Sequence, residues 1–361
     1  MASYNMSPRA TWIFVVSLIS FLLQIPPLLM HFRSKNHIVS TIIASTMALI
    51  ACRIVNALIW PSTATENVWK GQGLCDVQVK LFIGLNMLIP GALTCLFRQL
   101  AILLDPNRFG LSPSEREKRR TMTLTVLFCG VLPVLRMILA YFVQPDRYKL
   151  VGIHGCQLTA DRSWPTYALL LTWPLAVLAI GLCYGVAATW RMTRHYTEIS
   201  KLLSQSTHPR HGKRKLIKTY VFAMILFVLI APASGYIFWS NRSSYLQPYS
   251  WSRIHPKDWS ERISVDTGPD NSTAIDICNA AFGFIVFGCF GLGHEALEDY
   301  RRSWYWTLER LTRLRETWRA SSKVTVESDN VGPRREVNSM PVVAHFELET
   351  DSGHSSADRS Y

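Results

Sequence analysis

Charge is scarce in this chain: Asp, Glu, Lys and Arg make up 17% of 361 residues, against 49% for the apolar types. With a mean hydropathy of +0.13, that shortage excludes an ordinary water-soluble protein of this size. Catalytic signatures are absent as well. The chain has no Gly-x-x-x-x-Gly-Lys phosphate loop, no Cys-x-x-Cys and no Gly-x-Ser-x-Gly turn. His294-Glu295 lacks the second histidine that a metalloprotease helix needs, and His208 and His211 lie in a basic stretch without carboxylate neighbours. The expectation is therefore a protein with no catalysis, cofactor or metal of its own. No internal repeat is found, which gives no support to a transporter built from inverted halves. The first apolar stretch is preceded only by Arg9 and offers no small-residue cleavage site, so it reads as a retained signal-anchor helix.

What fills the chain instead is seven apolar stretches: Ala10 to Phe32, His37 to Trp60, Leu74 to Leu104, Thr121 to Gln144, Trp164 to Trp190, Leu216 to Ser240 and Ala274 to His294. About 20 apolar residues in a helix cross the roughly 30 Å hydrocarbon layer of a bilayer. Backbone polar groups in lipid must be satisfied internally, which leaves helices or closed barrels. These runs are too long and continuous for barrel strands. The fold class predicted is all-α, an integral membrane bundle of seven transmembrane helices.

The placement of basic residues orients the bundle. Arg33 and Lys35, then Arg108, Arg116, Lys118, Arg119 and Arg120, then Arg191, Arg194, Lys201, Arg210, Lys213, Arg214, Lys215 and Lys218 crowd alternate loops. The other loops hold fewer bases over more sequence, diluted by Glu66, Asp146, Asp161, Asp258, Glu261, Asp266 and Asp270. By the positive-inside rule the N-terminus is outside and the C-terminus inside. The net charge of +13 thus points to the inner membrane face and not to nucleic acid. Sequons at Asn5, Asn241 and Asn271 all fall on the predicted outer side, as glycan acceptors must.

Six of the eight cysteines, Cys52, Cys95, Cys129, Cys183, Cys278 and Cys289, lie in apolar spans and read as small packing residues. Cys75 and Cys156 alone face the predicted oxidising side. A disulfide between them would pin the second outer loop over the mouth of the bundle; two unpaired thiols are the alternative. Pro26, Pro27, Pro90, Pro133, Pro174 and Pro232 interrupt the spans, each removing a backbone hydrogen bond. Pro232 is placed to let the inner half of the sixth helix swing, with static packing as the rival reading.

Ionisable groups within spans cost roughly 2.5 to 3.5 kcal/mol each on insertion scales, so each one calls for a partner or a role. Arg53 and Asn56 share one face of the second helix, and Asp76 and Lys80 stand i, i+4 in the order that favours an ion pair. Arg136 in the fourth helix and Asp276 and Asn279 in the seventh lie, like these, in the outer half. The candidate ligand-binding residues are Arg53, Asn56, Asp76, Lys80, Arg136 and Asp276, with an internal ion-pair network as the alternative role. Arg98 sits at the inner third of the third helix, where it either snorkels to headgroups or latches the inner face.

The predicted organisation is a seven-helix domain over 1–294, an interfacial amphipathic helix over 295–319 and a disordered cytoplasmic tail over 320–361. Trp304, Leu308, Leu311 and Trp318 recur at helical spacing between arginines, the pattern of a helix lying in headgroups. Beyond Ala320 the composition turns polar and loses periodicity.

Ordered motifs along the chain resemble the fungal lipopeptide pheromone receptors, the a-factor-receptor-like branch of class D G-protein-coupled receptors. They run from Asn56-Ala-Leu-Ile-Trp-Pro61 through Gly73-Leu-Cys-Asp76, Lys80, Gly91-Ala-Leu-Thr-Cys95 and Arg98. Next come Tyr141-Phe-Val-Gln144, Arg147-Tyr148 and Gly155-Cys156, and finally Phe290-Gly-Leu-Gly-His-Glu-Ala296 with Tyr300-Arg301. The chain departs from the family at Leu74, at Gly152-Ile153-His154 and at Gln99. The resemblance implies a plasma-membrane receptor that binds a secreted farnesylated peptide and activates a heterotrimeric G protein. The inner-face candidates for that contact are Arg98, Arg191, Arg194, Lys213, Arg214 and Lys215. A membrane transporter or channel is the alternative.

Overall fold

A computed structural model describes residues 6–62, 69–105, 114–194, 209–240, 246–266 and 273–292, with isolated helical positions at 301, 305, 309, 310, 312, 313 and 315. Side chains are described for all of these except 209–215, 273–276 and 279. The chain divides into two units, Met1–Arg302 and Ser303–Tyr361. In the second unit the described positions are helical, and Arg313 pairs with Glu309 one turn earlier. The predicted stripe of Trp304, Leu308, Leu311 and Trp318 and the tail over 320–361 fall outside the described residues.

The first unit is a bundle. Its long helices are α1 (Pro8–Arg33), α2 (His37–Ile59), α3 (Leu74–Leu103), α4 (Glu115–Tyr141), α5 (Trp164–Arg194), α6 (Pro209–Ser240) and α7 (Thr273–Val286). Six of them, α1 to α6, are long and apolar enough to cross a membrane. In α7 the described apolar helix is shorter, Ala280–Gly291, its last part a wide π turn from Phe287 to Gly291. Two starts are set by local chemistry. Ser7 caps α1, accepting from Ala10 N at 3.2 Å with Pro8 as the first helical residue. Ser114 caps α4, accepting from Glu117 N at 3.3 Å, so α4 begins before the apolar run that marks it.

The bundle is inside-out by soluble standards. Val126, Val134 and Ile138 on α4 and Val186 and Trp190 on α5 point outward, each roughly half exposed or more. Buried polar groups instead stitch helix to helix. Ser20 Oγ donates to Ala280 O at 2.9 Å, Thr46 Oγ1 to Gln24 Oε1 at 2.6 Å and Thr94 Oγ1 to Val177 O at 2.9 Å. Lipid offers no hydrogen bonds, so such groups are paired within the protein. α3 runs through the centre, with Ala92, Leu93, Leu96, Phe97 and Leu100 buried among residues from α2, α5, α6 and α7.

Proline leaves its mark on helix geometry. Wide π turns occupy Leu127–Val131, just before Pro133, and Tyr167–Leu171, just before Pro174. A proline ring collides with the carbonyl four residues earlier, and the loosened turn relieves that. α6, by contrast, passes through Pro232 as a continuous helix.

The chain is mostly helical, and its connections add one element that the all-α expectation did not include. The connections at one end of the bundle form a three-stranded sheet in the order β2-β1-β3, with β1 Tyr148–Val151, β2 Gly155–Gln157 and β3 Ile263–Asp266. β1 and β2 pair as an antiparallel hairpin, Leu150 opposite Cys156, and β1 and β3 run parallel, Leu150 opposite Val265. Three or four residues per strand are too few for hydrophobic periodicity to register. Beyond the spans, backbone groups have water and sheet partners available, so helix is no longer compulsory. This end is called the sheet face below; the end bearing Arg33, Arg116 and Arg119 is the basic face.

Candidate functional site

The sheet face is built around one covalent anchor. Cys75, in the first turn of α3, is bonded to Cys156 on β2, with Cα atoms 5.2 Å apart and 81 positions between them in sequence. The disulfide that sequence left open is therefore present, and it fixes the hairpin on α3. The remaining cysteines among the described residues are free.

Next to the anchor, Arg147 holds Asp76 through two parallel bonds, Nε to Oδ1 and Nη2 to Oδ2, both 2.6 Å. Asp76 Oδ2 also accepts from Gly73 N at 3.0 Å, closing the start of α3. The i, i+4 pairing expected between Asp76 and Lys80 is thus replaced. A planar guanidinium matches both carboxylate oxygens at once, which an ammonium on a flexible stem cannot do. Lys80 turns instead to Gln144 Oε1 at 3.2 Å. Arg147 additionally donates from Nη1 to Ser260 O at 3.0 Å, joining the segment before β3 to the same knot. The Asp76 carboxylate holds Arg147 even more firmly protonated than usual. Burial, aided by the same carboxylate, pushes the Tyr148 phenol up, and its hydroxyl donates to Lys70 O at 3.0 Å.

The turn of the hairpin reaches down into the bundle. Ile153 (φ 64°) and Gly155 (φ 69°) adopt left-handed backbone, which turns the 152–154 segment inward. Asn56 Nδ2 donates to His154 O at 2.8 Å, and Arg53 Nη1 lies 3.4 Å from His154 Nδ1. The Arg53 guanidinium also sits 5.3 Å from the centroid of Phe82. A Cβ at Gly155 would meet the Asn56 side chain at 2.5 Å, so the close approach requires glycine. Ile153 N donates to Trp60 O at 3.1 Å, and the Ile153 side chain packs with Ala10 and Ile13 of α1. His154 is 1% exposed. The hairpin is a plug as well as a cover.

Beyond the plug lies an aromatic ledge. His255 stacks on Trp251 with ring centroids 4.0 Å apart and lies 4.5 Å from Tyr141 and 5.4 Å from Trp259. Trp259 Nε1 donates to Gln144 O at 2.9 Å, tying the ledge to the Lys80–Gln144 pair.

The predicted ligand-facing residues separate into distinct groups. Arg53 and Asn56 converge on His154, while Asp76 and Lys80 engage Arg147 and Gln144 beside the disulfide. Arg136 stands apart, donating from Nε to Leu170 O at 3.2 Å and from Nη1 to Ile83 O at 2.9 Å. The side chains of Asp276 and Asn279 lie outside the described residues, as do Asn5, Asn241 and Asn271. Sequence reasoning singled out the acids and bases in the spans but missed their partners, His154, Arg147 and Gln144. Those three stand in the Tyr141-to-Cys156 segment that carried the resemblance, and that was the available signal.

On the basic face, Arg98 Nη1 donates to Thr121 Oγ1 at 3.0 Å. Arg191 pairs with Asp105 at 3.3 Å and donates to Ala101 O, joining α5 to the end of α3. Arg194 lies 5.3 Å from the Trp190 ring. The side chains of Lys213, Arg214 and Lys215 are outside the described residues.

Comparison with known proteins places this architecture. The sequence pattern of the STE3 family, pheromone A receptors, matches residues 12–311. The chain belongs to that family. Relatives of the chain include the pheromone a factor receptor of Saccharomyces cerevisiae, 25% identical over 287 residues, 79% of this chain and 60% of that one. The pheromone B alpha 3 receptor of Schizophyllum commune is 23% identical over 311 residues, 81% of this chain and 47% of its own. Pheromone receptor 1 of Mycosarcoma maydis is 24% identical over 329 residues, 87% and 88% of the two chains. The chain thus spans 60% or less of the length of the first two relatives. The match covers all seven helices, the sheet face and the disulfide pair. It makes the chain a membrane protein of a receptor family whose relatives are not enzymes.

Proposed function

We propose that the chain is a seven-span G-protein-coupled receptor of the plasma membrane that binds a secreted farnesylated peptide pheromone and activates a heterotrimeric G protein. The observation that carries this reading is the disulfide-anchored hairpin plug. It ties α3 to the connection between α4 and α5 and sets Arg53, Asn56, Asp76 and Lys80 beneath or beside a cover built from the loops around it. In this reading the sheet face and the N-terminus are outside, the basic face and the C-terminus inside. The loop charge asymmetry supports that orientation, and so does a disulfide, which persists in oxidising compartments.

The chemistry suits an amphiphilic ligand. A prenyl chain partitions into lipid, with each buried CH2 contributing about 0.8 kcal/mol, and the peptide part then meets the polar groups of the sheet face. Arg53, Asn56, Asp76, Lys80, Arg136 and Asp276 are the proposed ligand-side residues. Arg98, Arg191, Arg194, Lys213, Arg214 and Lys215 are proposed to face the G protein. Binding that favours a state with the inner part of α6 displaced about Pro232 shifts the population toward coupling. Residues 295–319 are proposed as an interfacial helix, 320–361 as a cytoplasmic tail, and Asn5, Asn241 and Asn271 as glycan acceptors.

The test is expression in a yeast lacking its own receptor of this type, with a pathway reporter, challenged by synthetic peptides with and without the farnesyl group. A dose-dependent response to farnesylated peptides alone is expected. A surface-expressed chain silent to all of them, or responding equally to unlipidated peptides, overturns the reading.

A further inference from the structure

Among the described residues no carboxylate balances the charge of Arg98. The residue is 8% exposed, deep between α3 and α4 near the basic face. Among the described residues its one partner is the Thr121 hydroxyl, a neutral acceptor at 3.0 Å, and no carboxylate pairs with it. A guanidinium has five N–H donors in a fixed fork. Leaving such a charge buried without a counter-ion costs several kcal/mol, roughly, so an anion at this position is strongly favoured.

The surroundings are shaped for one. Arg98 opens on a cleft of about 100 Å³ lined also by Thr121, Tyr184, Leu124, Phe128 and Ile180. Donors predominate at its polar end. Thr121 accepts from Arg98 and keeps its own O–H free to donate, and the Tyr184 hydroxyl has no described partner. Thr94 and Thr125, also on the wall, already donate to Val177 O and Thr121 O. The other walls are apolar. α4 and α5 meet in their upper halves, where Arg136 reaches Leu170 O, while lower down both pack on α3 and leave this gap between them. Glycine brings α4 and α5 close against α3 beside it: a Cβ at Gly91 would lie 2.3 Å from Phe128 O, and one at Gly181 would lie 2.7 Å from Thr94 Oγ1. Donors at one end, apolar walls at the other and an opening along the hydrocarbon describe a site for an amphiphilic anion.

We propose that this cleft binds the phosphate of an anionic phospholipid from the leaflet on the basic face. Arg98 forms a charge-assisted pair with the phosphate, Thr121 and Tyr184 donate to its remaining oxygens, and the acyl chains run along Leu124, Phe128 and Ile180. The exposed Arg116, Arg119 and Arg120 at the start of α4 enrich such lipids nearby. The proposal rests on the bundle spanning a membrane and on nothing about its ligand, and it gives Arg98 a lipid in place of the G-protein contact proposed above.

The experiment uses the full chain purified in mild detergent and titrated with dioleoyl phosphatidylinositol or dioleoyl phosphatidylcholine, with retained lipid read by native mass spectrometry. Wild type is expected to hold one phosphatidylinositol at least tenfold more tightly than phosphatidylcholine. R98Q should abolish that preference, T121V should weaken it about threefold, and R119Q, an exposed arginine on the same face, should leave it intact. T121V keeps the charge and so serves if R98Q does not fold. Equal retention in wild type and R98Q overturns the proposal, as does equal loss in R98Q and R119Q, which would mean surface attraction only. Displacement of the lipid by millimolar inorganic phosphate would overturn it too, marking a free-anion site. Carbonate extraction before purification separates these outcomes from a failure to span the membrane.

Discussion

Arg147 grips both carboxylate oxygens of Asp76 at 2.6 Å, joining the start of α3 to β1 across 71 positions of sequence. The same guanidinium reaches Ser260 O, so one side chain links three segments of the sheet face. Both partners are about one-third exposed, and water screens the pair. A double-mutant cycle on thermal stability with D76N and R147Q should therefore give a coupling of about 1 kcal/mol, above an ordinary surface pair because the geometry is bidentate. R147K should behave more like R147Q than like wild type, since an ammonium cannot span both oxygens. Additive single-mutant effects would show that the pair contributes nothing of its own.

The close approach of α3 and α4 makes a sharper prediction about two glycines. Gly91 faces Phe128 O, which a Cβ would meet at 2.3 Å, whereas nothing lies within 4 Å of a Cβ at Gly130. Backbone cannot step aside as a flexible side-chain tip can, and overpacking costs about 1 to 3 kcal/mol. G91A should lower the thermal midpoint in detergent by several degrees, while G130A should leave it unchanged or raise it slightly. Equal midpoints for the two variants would mean that α3 and α4 are not packed this closely.

His255 supplies a pH dependence. Burial against Tyr141, Trp251 and Trp259 pushes its pKa below the ordinary imidazole value, and the nearby Tyr141 backbone offsets only part of that. A base with a depressed folded pKa binds its proton more readily when unfolded. Its contribution is thus complete above the unfolded pKa, about 6.5, and is lost as pH falls through that value toward the folded one. Thermal midpoints measured between pH 7.5 and pH 5 should fall for wild type more steeply than for H255F, which keeps the ring stack without the titration. Parallel profiles would remove His255 as the cause.

Much of the bundle was legible because lipid imposes so few solutions. Apolar run length and the basic loops are enough to draw α1 to α6, and the redox argument singles out Cys75 and Cys156 as the candidate pair. The sheet was not legible, since its strands are three or four residues long and pair Tyr148 with Ile263 across a long stretch of chain. The partner of Asp76 was misjudged for a related reason. Helical spacing places Lys80 nearby, but only the folded hairpin brings Arg147 closer, and its planar fork then wins both oxygens. Pro133 and Pro174 stand where helices loosen, but Pro26, Pro27, Pro90 and Pro232 lie in continuous helices, so proline alone did not mark the π turns.

Arg136 and Pro174 carry a further test. Pro174 has no N–H, so the carbonyl four residues earlier, Leu170 O, loses its usual helical donor. Arg136 Nε supplies a replacement at 3.2 Å from the neighbouring helix, and its Nη1 donates to Ile83 O on α3 at 2.9 Å. The arginine thus satisfies a carbonyl that a proline exposed. Leaving a buried carbonyl unpaired costs about 1 to 3 kcal/mol, so R136Q should destabilise the otherwise unaltered protein by about that much. In a P174A background the restored amide can serve Leu170 O, and R136Q should cost measurably less there, by roughly 1 kcal/mol, the net worth of one hydrogen bond. Equal costs in the two backgrounds, measured by thermal unfolding in the same detergent, would show that Arg136 matters through Ile83 O and its burial alone.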